Sequence, residues 1–257
     1  MSASTLPHLL YSHWKQEEEC AHIHGCDFSH IDGRFTEDTA FPWDYRKEIL
    51  AHLRLDMRIL DLDTGGGEFL LSLNHPARLT SAAENYGPNV RLCKDTLLPL
   101  EIDFRQASAK GPLPWPDESF DLVINRHGDL CAQEYFRVLK KGGLFITQQV
   151  GAENDRELVQ LLLGATPLPF PEQTLAGIRQ QFQKAGFTLL RSEECVRPIR
   201  FTEVGALVWF ARIIEWEFPG FCVDTHLPQL MQAQQIIDQE GYVEGHTHRI
   251  FLVAQKD

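Results

Sequence analysis

The 257 residues suffice to bury one large α/β core with additions, or two small domains, and one domain with additions is the simpler expectation. Asp plus Glu number 36 against 24 Lys plus Arg, a formal net charge of −12; this repels a phosphate backbone, and the longest basic cluster is the pair Lys140-Lys141, so a small-molecule partner is expected and nucleic acid is not. With no apolar run of about 18 residues, no signal-peptide pattern at the start and six scattered cysteines, a cytoplasmic location with free thiols and no membrane partner is expected.

Residues 1–41 are rich in His and acidic side chains and read as irregular or partly helical, a lid segment ahead of a main domain over 42–257. Pro42 can open a helix that places Tyr45, Ile49, Leu50 and Leu53 on one face. Strand and helix patterns then alternate. Strands are expected at Arg58 to Leu62, Leu79 to Ala83, Ile102 to Ala107, Phe120 to Asn125 and Leu144 to Gln149. Helices are expected at Glu68 to Leu73, Asn89 to Leu98 and Asp129 to Leu139. Units of this length imply right-handed crossovers and a mainly parallel, doubly wound sheet.

Beyond Gly151 come a helix from Asn154 to Leu163, a Pro-rich loop over 167–171, and a helix carrying Leu175, Ile178, Phe182 and Ala185 that stops at Gly186. Two last strands are expected, Phe187 to Val196 and His248 to Ala254. Between them an insertion over 199–245 holds helical patterns at Glu203 to Trp216 and Leu227 to Gln239.

The strand Ile59-Leu60-Asp61-Leu62 runs into Asp63-Thr64-Gly65-Gly66-Gly67 and then a helix. That arrangement brings backbone N–H groups and a helix N-terminus up to a ligand, and glycine permits the close approach. Such a turn alone is common to many nucleotide-binding and structural sites. Glu84 follows the next strand, 19 residues after Gly65, where an acidic side chain can accept from both ribose hydroxyls. A solvated Glu at a strand end is the bland alternative.

Leu60 to Gly67 resembles the first motif of the class I S-adenosylmethionine-dependent methyltransferases, and Glu84 resembles their second. Leu113-Pro114-Trp115-Pro116-Asp117-Glu118-Ser119-Phe120-Asp121 is similar to the family's loop before a Phe-Asp strand, and Arg137-Val138-Leu139-Lys140-Lys141-Gly142-Gly143 to its helix end and turn. The resemblance is close over roughly 45–150. It extends to a subgroup of functionally uncharacterised bacterial proteins with Asn-Arg-His after the strand 120–125 and Thr-Gln-Gln-Val-Gly after the strand 144–149. Asp63 departs from the pattern by standing where the family has its first glycine. The acidic residue often found after the third strand is replaced by Gln106-Ala107-Ser108.

The resemblance implies a seven-stranded sheet with its last strand antiparallel, S-adenosyl-L-methionine as cofactor, and in-line methyl transfer to a small acceptor. Asp61, Asp63, Thr64, Gly65, Gly67, Glu84, Ala107, Ser108 and Asn125 are the expected cofactor-binding residues. His127 and Arg126 are the candidate catalytic pair: an imidazole can serve as base, and a guanidinium can hold a substrate carboxylate. Packing or capping for His127 and an acidic neighbour for Arg126 are the alternatives. Gln148, Trp209 and Trp216 are expected to contact substrate, the two Trp from a roof formed by the insertion, although aromatic residues in so apolar a stretch are as often core.

Cys20-x-His22-x-His24-x-Cys26 offers ligand atoms at i, i+2 spacing without a second pair at a zinc-binding distance, and no metal is expected. A nicotinamide-dependent oxidoreductase is disfavoured because the one Tyr-x-x-x-Lys, Tyr11 to Lys15, precedes the glycine turn. A noncatalytic binding protein is the remaining alternative, and Asp63 is the residue that favours it.

Overall fold

A computed structural model describes residues 5–22 and 28–257. The helices are α1 (Thr5–Cys20), α2 (Tyr45–His52), α3 (Glu68–Ser72), α4 (Gly87–Thr96), α5 (Ala132–Val138), α6 (Arg156–Leu163), α7 (Leu175–Ala185), α8 (Val204–Ile213) and α9 (Leu227–Glu240). The strands are β1 (Phe35–Glu37), β2 (Ile59–Leu62), β3 (Thr80–Glu84), β4 (Asp103–Gln106), β5 (Phe120–Arg126), β6 (Leu139–Val150), β7 (Phe187–Phe201) and β8 (Val243–Lys256). They form one sheet in the order β1-β7-β8-β6-β5-β2-β3-β4.

The four pairings among β2 to β6 are parallel, and β8 runs antiparallel to β6, as expected for the last strand. The sheet has eight strands, not seven. The addition is β1, three residues paired antiparallel to the end of β7. It is too short to show a period-2 pattern and lies in the stretch read as irregular.

Several boundaries move for local reasons. Asp44, not Pro42, caps α2, its carboxylate accepting the Lys47 N–H at 2.9 Å. Helix α5 starts at Ala132 because His127 adopts φ 59 and the chain first turns through Gly128-Asp129. The expected Gly142-Gly143 turn lies inside β6, where the pairing with β5 shifts register between Phe120 and Leu122.

Two compact units divide the chain. One comprises 41–151, 172–195 and 249–257. Its central strands β2, β3 and most of β5 are buried on both faces. Leu60, Leu62 and Val123 point into a layer with Tyr135, Val138 and Phe182 of α5 and α7. Ile59, Leu122 and Ile124 point into a second layer with Ile49, Leu70 and Val90 of α2, α3 and α4. This alternation is the period-2 geometry of strands covered on both sides by helices. On either side of β2 lie β3 and β5, so the order of connection reverses there. Crevices at the carboxyl ends of strands at such a reversal are where α/β sheets bind ligands.

The other unit comprises 1–40, 152–171 and 196–248. Its centre is α8, in which every residue from Val204 to Ala211 is buried. A helix apolar all round must be surrounded. Trp14 of α1, Leu158 and Leu162 of α6, and Leu230 of α9 join α8 in one core. Gly205 lets α1 come close, since a Cβ there would lie 2.8 Å from His13 Nε2 and 2.9 Å from Glu17 Cγ. The buried Glu17 carboxylate accepts from Arg34 Nη1 at 2.5 Å and bonds His30 Nε2 at 2.7 Å.

None of the described cysteines, Cys20, Cys93, Cys131, Cys195 and Cys222, forms a disulfide. His24 and Cys26 of the Cys-His run lie outside the described residues. Tyr11 and Lys15 both bond Asp224. Among the described residues no helix is long and apolar enough to cross a membrane.

Candidate active site

The glycine turn leaves β2 in a left-handed conformation at Asp63, φ 52, and again at Gly65 and Gly67, φ 65 and 86. This explains why glycine suits the position of Asp63: a left-handed residue with a Cβ carries strain. Asp63 is retained in that conformation by its bonds. Its Oδ2 accepts the Asp129 backbone N–H at 2.9 Å and the Asn125 Nδ2–H at 3.3 Å. Asn125 also donates to the Leu62 carbonyl at 3.0 Å, and its Oδ1 accepts from Gln149. The side chain therefore ties the glycine turn to the end of β5.

Glu84, buried at the end of β3, accepts the Gly65 N–H at 2.9 Å and the Asn85 and Tyr86 N–H groups at 2.7 and 2.8 Å. Asp61, also buried, accepts from the Thr64 hydroxyl at 2.6 Å. Three carboxylates thus surround one turn. Burial first, then the charges of Asp63 and Glu84, push the Asp61 carboxyl up to about 7 against the pull of Thr64 and Arg126. Burial, with the Glu84 and Asp129 charges, raises Asp63 to about 6 although the Asp129 N–H and Asn125 bonds oppose it.

Ala107 donates its N–H to the Glu84 carbonyl at 3.2 Å, which places the loop after β4 beside the end of β3. In that loop the Ser108 hydroxyl accepts the Lys110 N–H at 3.2 Å. The turn, Glu84, Ala107-Ser108 and Asn125 therefore adjoin one another at the carboxyl ends of β2 to β5.

The candidate acceptor side lies at the same edge of the sheet. Arg126 stands opposite Gln148, Gln148 opposite Phe251, and Val150 opposite Arg249. Strand alternation puts all five on one face. The Arg126 guanidinium sits 5.1 Å from the Phe69 ring centroid. The Trp43 indole N–H donates to Gln148 Oε1 at 2.8 Å, and the Gln148 amide nitrogen lies 3.2 Å from His127 Nε2. Crowding by protein atoms, then the charges of Arg249 and Arg126, push the His127 imidazole well below its ordinary range. It is neutral at neutral pH.

Trp209 is 1% exposed and its ring stacks on His30 at 5.3 Å. It serves as core of the other unit, whereas Trp216 is exposed. Trp43, Phe69 and Arg249 escaped the sequence analysis. The burst Phe41-Pro42-Trp43 just before a helix leading into the sheet was the one available signal.

The Leu-Pro-Trp and Arg-Val-Leu-Lys signatures are scaffold. Arg137 donates to the carbonyls of Leu113 and Trp115 at 2.9 and 2.8 Å, while Trp115 donates to Asp103 at 2.8 Å. The two motifs touch, which accounts for their appearing together.

A doubly wound sheet whose glycine turn meets an acidic residue at the end of the next strand is the arrangement of Rossmann-like nucleotide-binding folds. Residues 60–147 match the family model described as a methyltransferase domain. Over 134 residues it is 31% identical to the phthiotriol/phenolphthiotriol dimycocerosates methyltransferase of Mycobacterium tuberculosis, covering 47% of this chain and 49% of that protein. The chain thus spans about half the length of the curated relatives it matches. Among solved structures, a Bacillus halodurans protein superimposes with a TM-score of 0.57 at 18% identity, covering 82% of this chain and 96% of that one. The YcgJ protein of Bacillus subtilis does so with 0.54 at 17%, covering 82% and 97%. Both show the fold.

Proposed function

We propose that the protein transfers a methyl group from S-adenosylmethionine to a small-molecule acceptor by in-line displacement. The observation that carries this reading is the set of three carboxylates, Asp61, Asp63 and Glu84, gathered at one glycine turn. Their mutual repulsion favours a cationic ligand. A sulfonium with an ammonium group answers that demand, whereas the pyrophosphate of a dinucleotide meets repulsion.

When bound, the cofactor supplies an electrophilic methyl carbon on its sulfonium. The chain's own residues bind and orient. Glu84 is assigned to the ribose hydroxyls. Its carboxylate now takes four donors, of which Asn89 Nδ2 at 3.4 Å is the longest and the first to be displaced. Asp61, Asp63, Thr64, Gly65 and Gly67 are assigned to the methionine portion, Ala107 and Ser108 to the adenine edge, and Asn125 to the support of the turn. Arg126 and His127 are assigned to the acceptor, with Gln148 holding His127.

Orientation and exclusion of water supply much of the acceleration in such a displacement. The methylation of phthiotriol dimycocerosates belongs to the relatives; the acceptor proposed here is defined only as a small molecule.

Calorimetry with S-adenosylmethionine, S-adenosylhomocysteine and NAD tests the reading. Binding of the first two and not of NAD is expected. No binding of either sulfur compound, or a preference for NAD, overturns it.

A further inference from the structure

Two hydrogen bonds decide what His127 can do. An indole N–H only donates, so the Gln148 atom 2.8 Å from Trp43 Nε1 is its carbonyl oxygen. The Gln148 amide nitrogen then faces His127, and because an amide N–H also only donates, His127 Nε2 at 3.2 Å is the acceptor. The single lone pair of the neutral ring is engaged, and the proton sits on Nδ1. His127 in this arrangement presents an N–H and no free basic nitrogen.

Beside it, Arg126 extends from the end of β5, exposed, its guanidinium over the Phe69 ring. Among the described residues no carboxylate forms an ion-pair contact with it, and the buried Asp61 feels its charge without touching it. In a chain of net charge −12, an exposed arginine with no carboxylate in contact with it, next to a fixed N–H donor at the ligand edge of the sheet, favours an anion.

Resting on the methyltransferase reading, we infer that the acceptor is an organic anion of the carboxylate class, recruited by Arg126 and needing no base from His127. The carboxylate oxygen forms the new O–C bond as the C–S bond breaks, and the bonding pair leaves with sulfur. Anion and sulfonium neutralise each other, giving a methyl ester and a thioether with no proton released. A neutral alcohol or amine acceptor releases one proton per turnover.

The test uses the full chain saturated with S-adenosylhomocysteine, titrated with benzoate against benzamide and hexanoate against hexanamide. The carboxylates are expected to bind at least about tenfold more tightly than their amides, in line with a charge-assisted bond. Arg126→Gln is expected to bring each pair within about twofold while S-adenosylhomocysteine still binds. Nitrogen NMR of labelled histidine is expected to show His127 protonated at Nδ1. Equal binding of acid and amide, an unchanged preference in Arg126→Gln, or an Nε2-protonated ring each overturns the inference and leaves the methyltransferase reading standing. Failure of S-adenosylhomocysteine to bind overturns both.

Discussion

Asp63 and Asp129 are joined by a 2.9 Å hydrogen bond from backbone N–H to carboxylate, which fastens the glycine turn after β2 to the loop after β5. The residue that breaks the family pattern is thereby a structural tie between the two strand ends that frame the candidate site. Asp63→Gly removes the left-handed Cβ strain but also this bond and one carboxylate. Charge-assisted bonds contribute about 1.5–3 kcal/mol, set against a relief of about 1–2 kcal/mol for the left-handed backbone, and the lost carboxylate further weakens the attraction for a cationic ligand. Calorimetry is expected to show weaker S-adenosylhomocysteine binding in Asp63→Gly; tighter binding would mean that the side chain obstructs the cofactor.

Gly128 is set by space, not by backbone conformation. A Cβ there would lie 2.2 Å from Asp63 Oδ2 and 2.7 Å from Asn125 Nδ2. Gly128→Ala is expected to cost about 1–3 kcal/mol in urea denaturation, the usual cost of overpacking. In an Asp63→Gly background, which removes both the Asp63 Oδ2 and the Asp63 Cβ that would lie 2.7 Å away, the extra cost should shrink by more than about 0.5 kcal/mol, the threshold for coupled sites. Strict additivity contradicts the contact.

Glu84→Gln keeps the shape of the side chain but replaces one carboxylate oxygen by an amide that cannot accept. With the Gly65, Asn85 and Tyr86 N–H groups all depending on those oxygens, the turn loses a partner as well as the ribose site. S-adenosylhomocysteine affinity is expected to fall about 10- to 100-fold, as the loss of one or two charged bonds implies. A change under about twofold removes Glu84 from the site.

Cofactor binding should depend on pH through Asp61 and Asp63, raised to about 7 and about 6. Both are ionised above about pH 8 and take up protons as pH falls through those values, so affinity for the cationic cofactor should weaken progressively from pH 8 to pH 5. The contribution of these two groups to the stability of the ligand-free protein should move the other way, with the depressed His127 imidazole acting against it. An unfolded Asp ionises near pH 4, so between about pH 4 and 7 these two carboxyls bind more protons in the folded state, and the stability they contribute falls as pH rises through that window. Titration calorimetry at four pH values, with ligand-free melting of the protein and of Asp61→Asn compared in the same buffers, checks both signs.

The glycine turn, Glu84 and the alternating strand-helix order were legible because each follows from local spacing. Other features depend on distant partners. Strand β7 continues past Arg197-Pro198, where a missing N–H argues for a stop, because Pro198 still offers its carbonyl to the Asp38 N–H at 3.0 Å. Strand β8 begins early at Val243 and includes Gly245, a poor strand residue kept because a Cβ there would lie 2.5 Å from Leu158 Cγ. In the N-terminal stretch, His and acidic residues masked α1, whose Trp14 is wholly buried. At the site, Arg126 and His127 were visible as residue types, but the partners that fix their chemistry, Trp43 and Phe69, come from other elements and have no fixed spacing to them.

The chain passes back and forth between the two units at residues 40, 151, 171, 195 and 248. No contiguous fragment therefore contains one unit and nothing of the other. A gene shortened to the methyltransferase-like stretch 60–147 would lack α7, β7 and β8, including Phe182, Phe187 and Phe251 of its own hydrophobic layers. Dissection of this protein must proceed by point substitution in the whole chain, and a recombination breakpoint anywhere between residues 41 and 248 splits both cores at once.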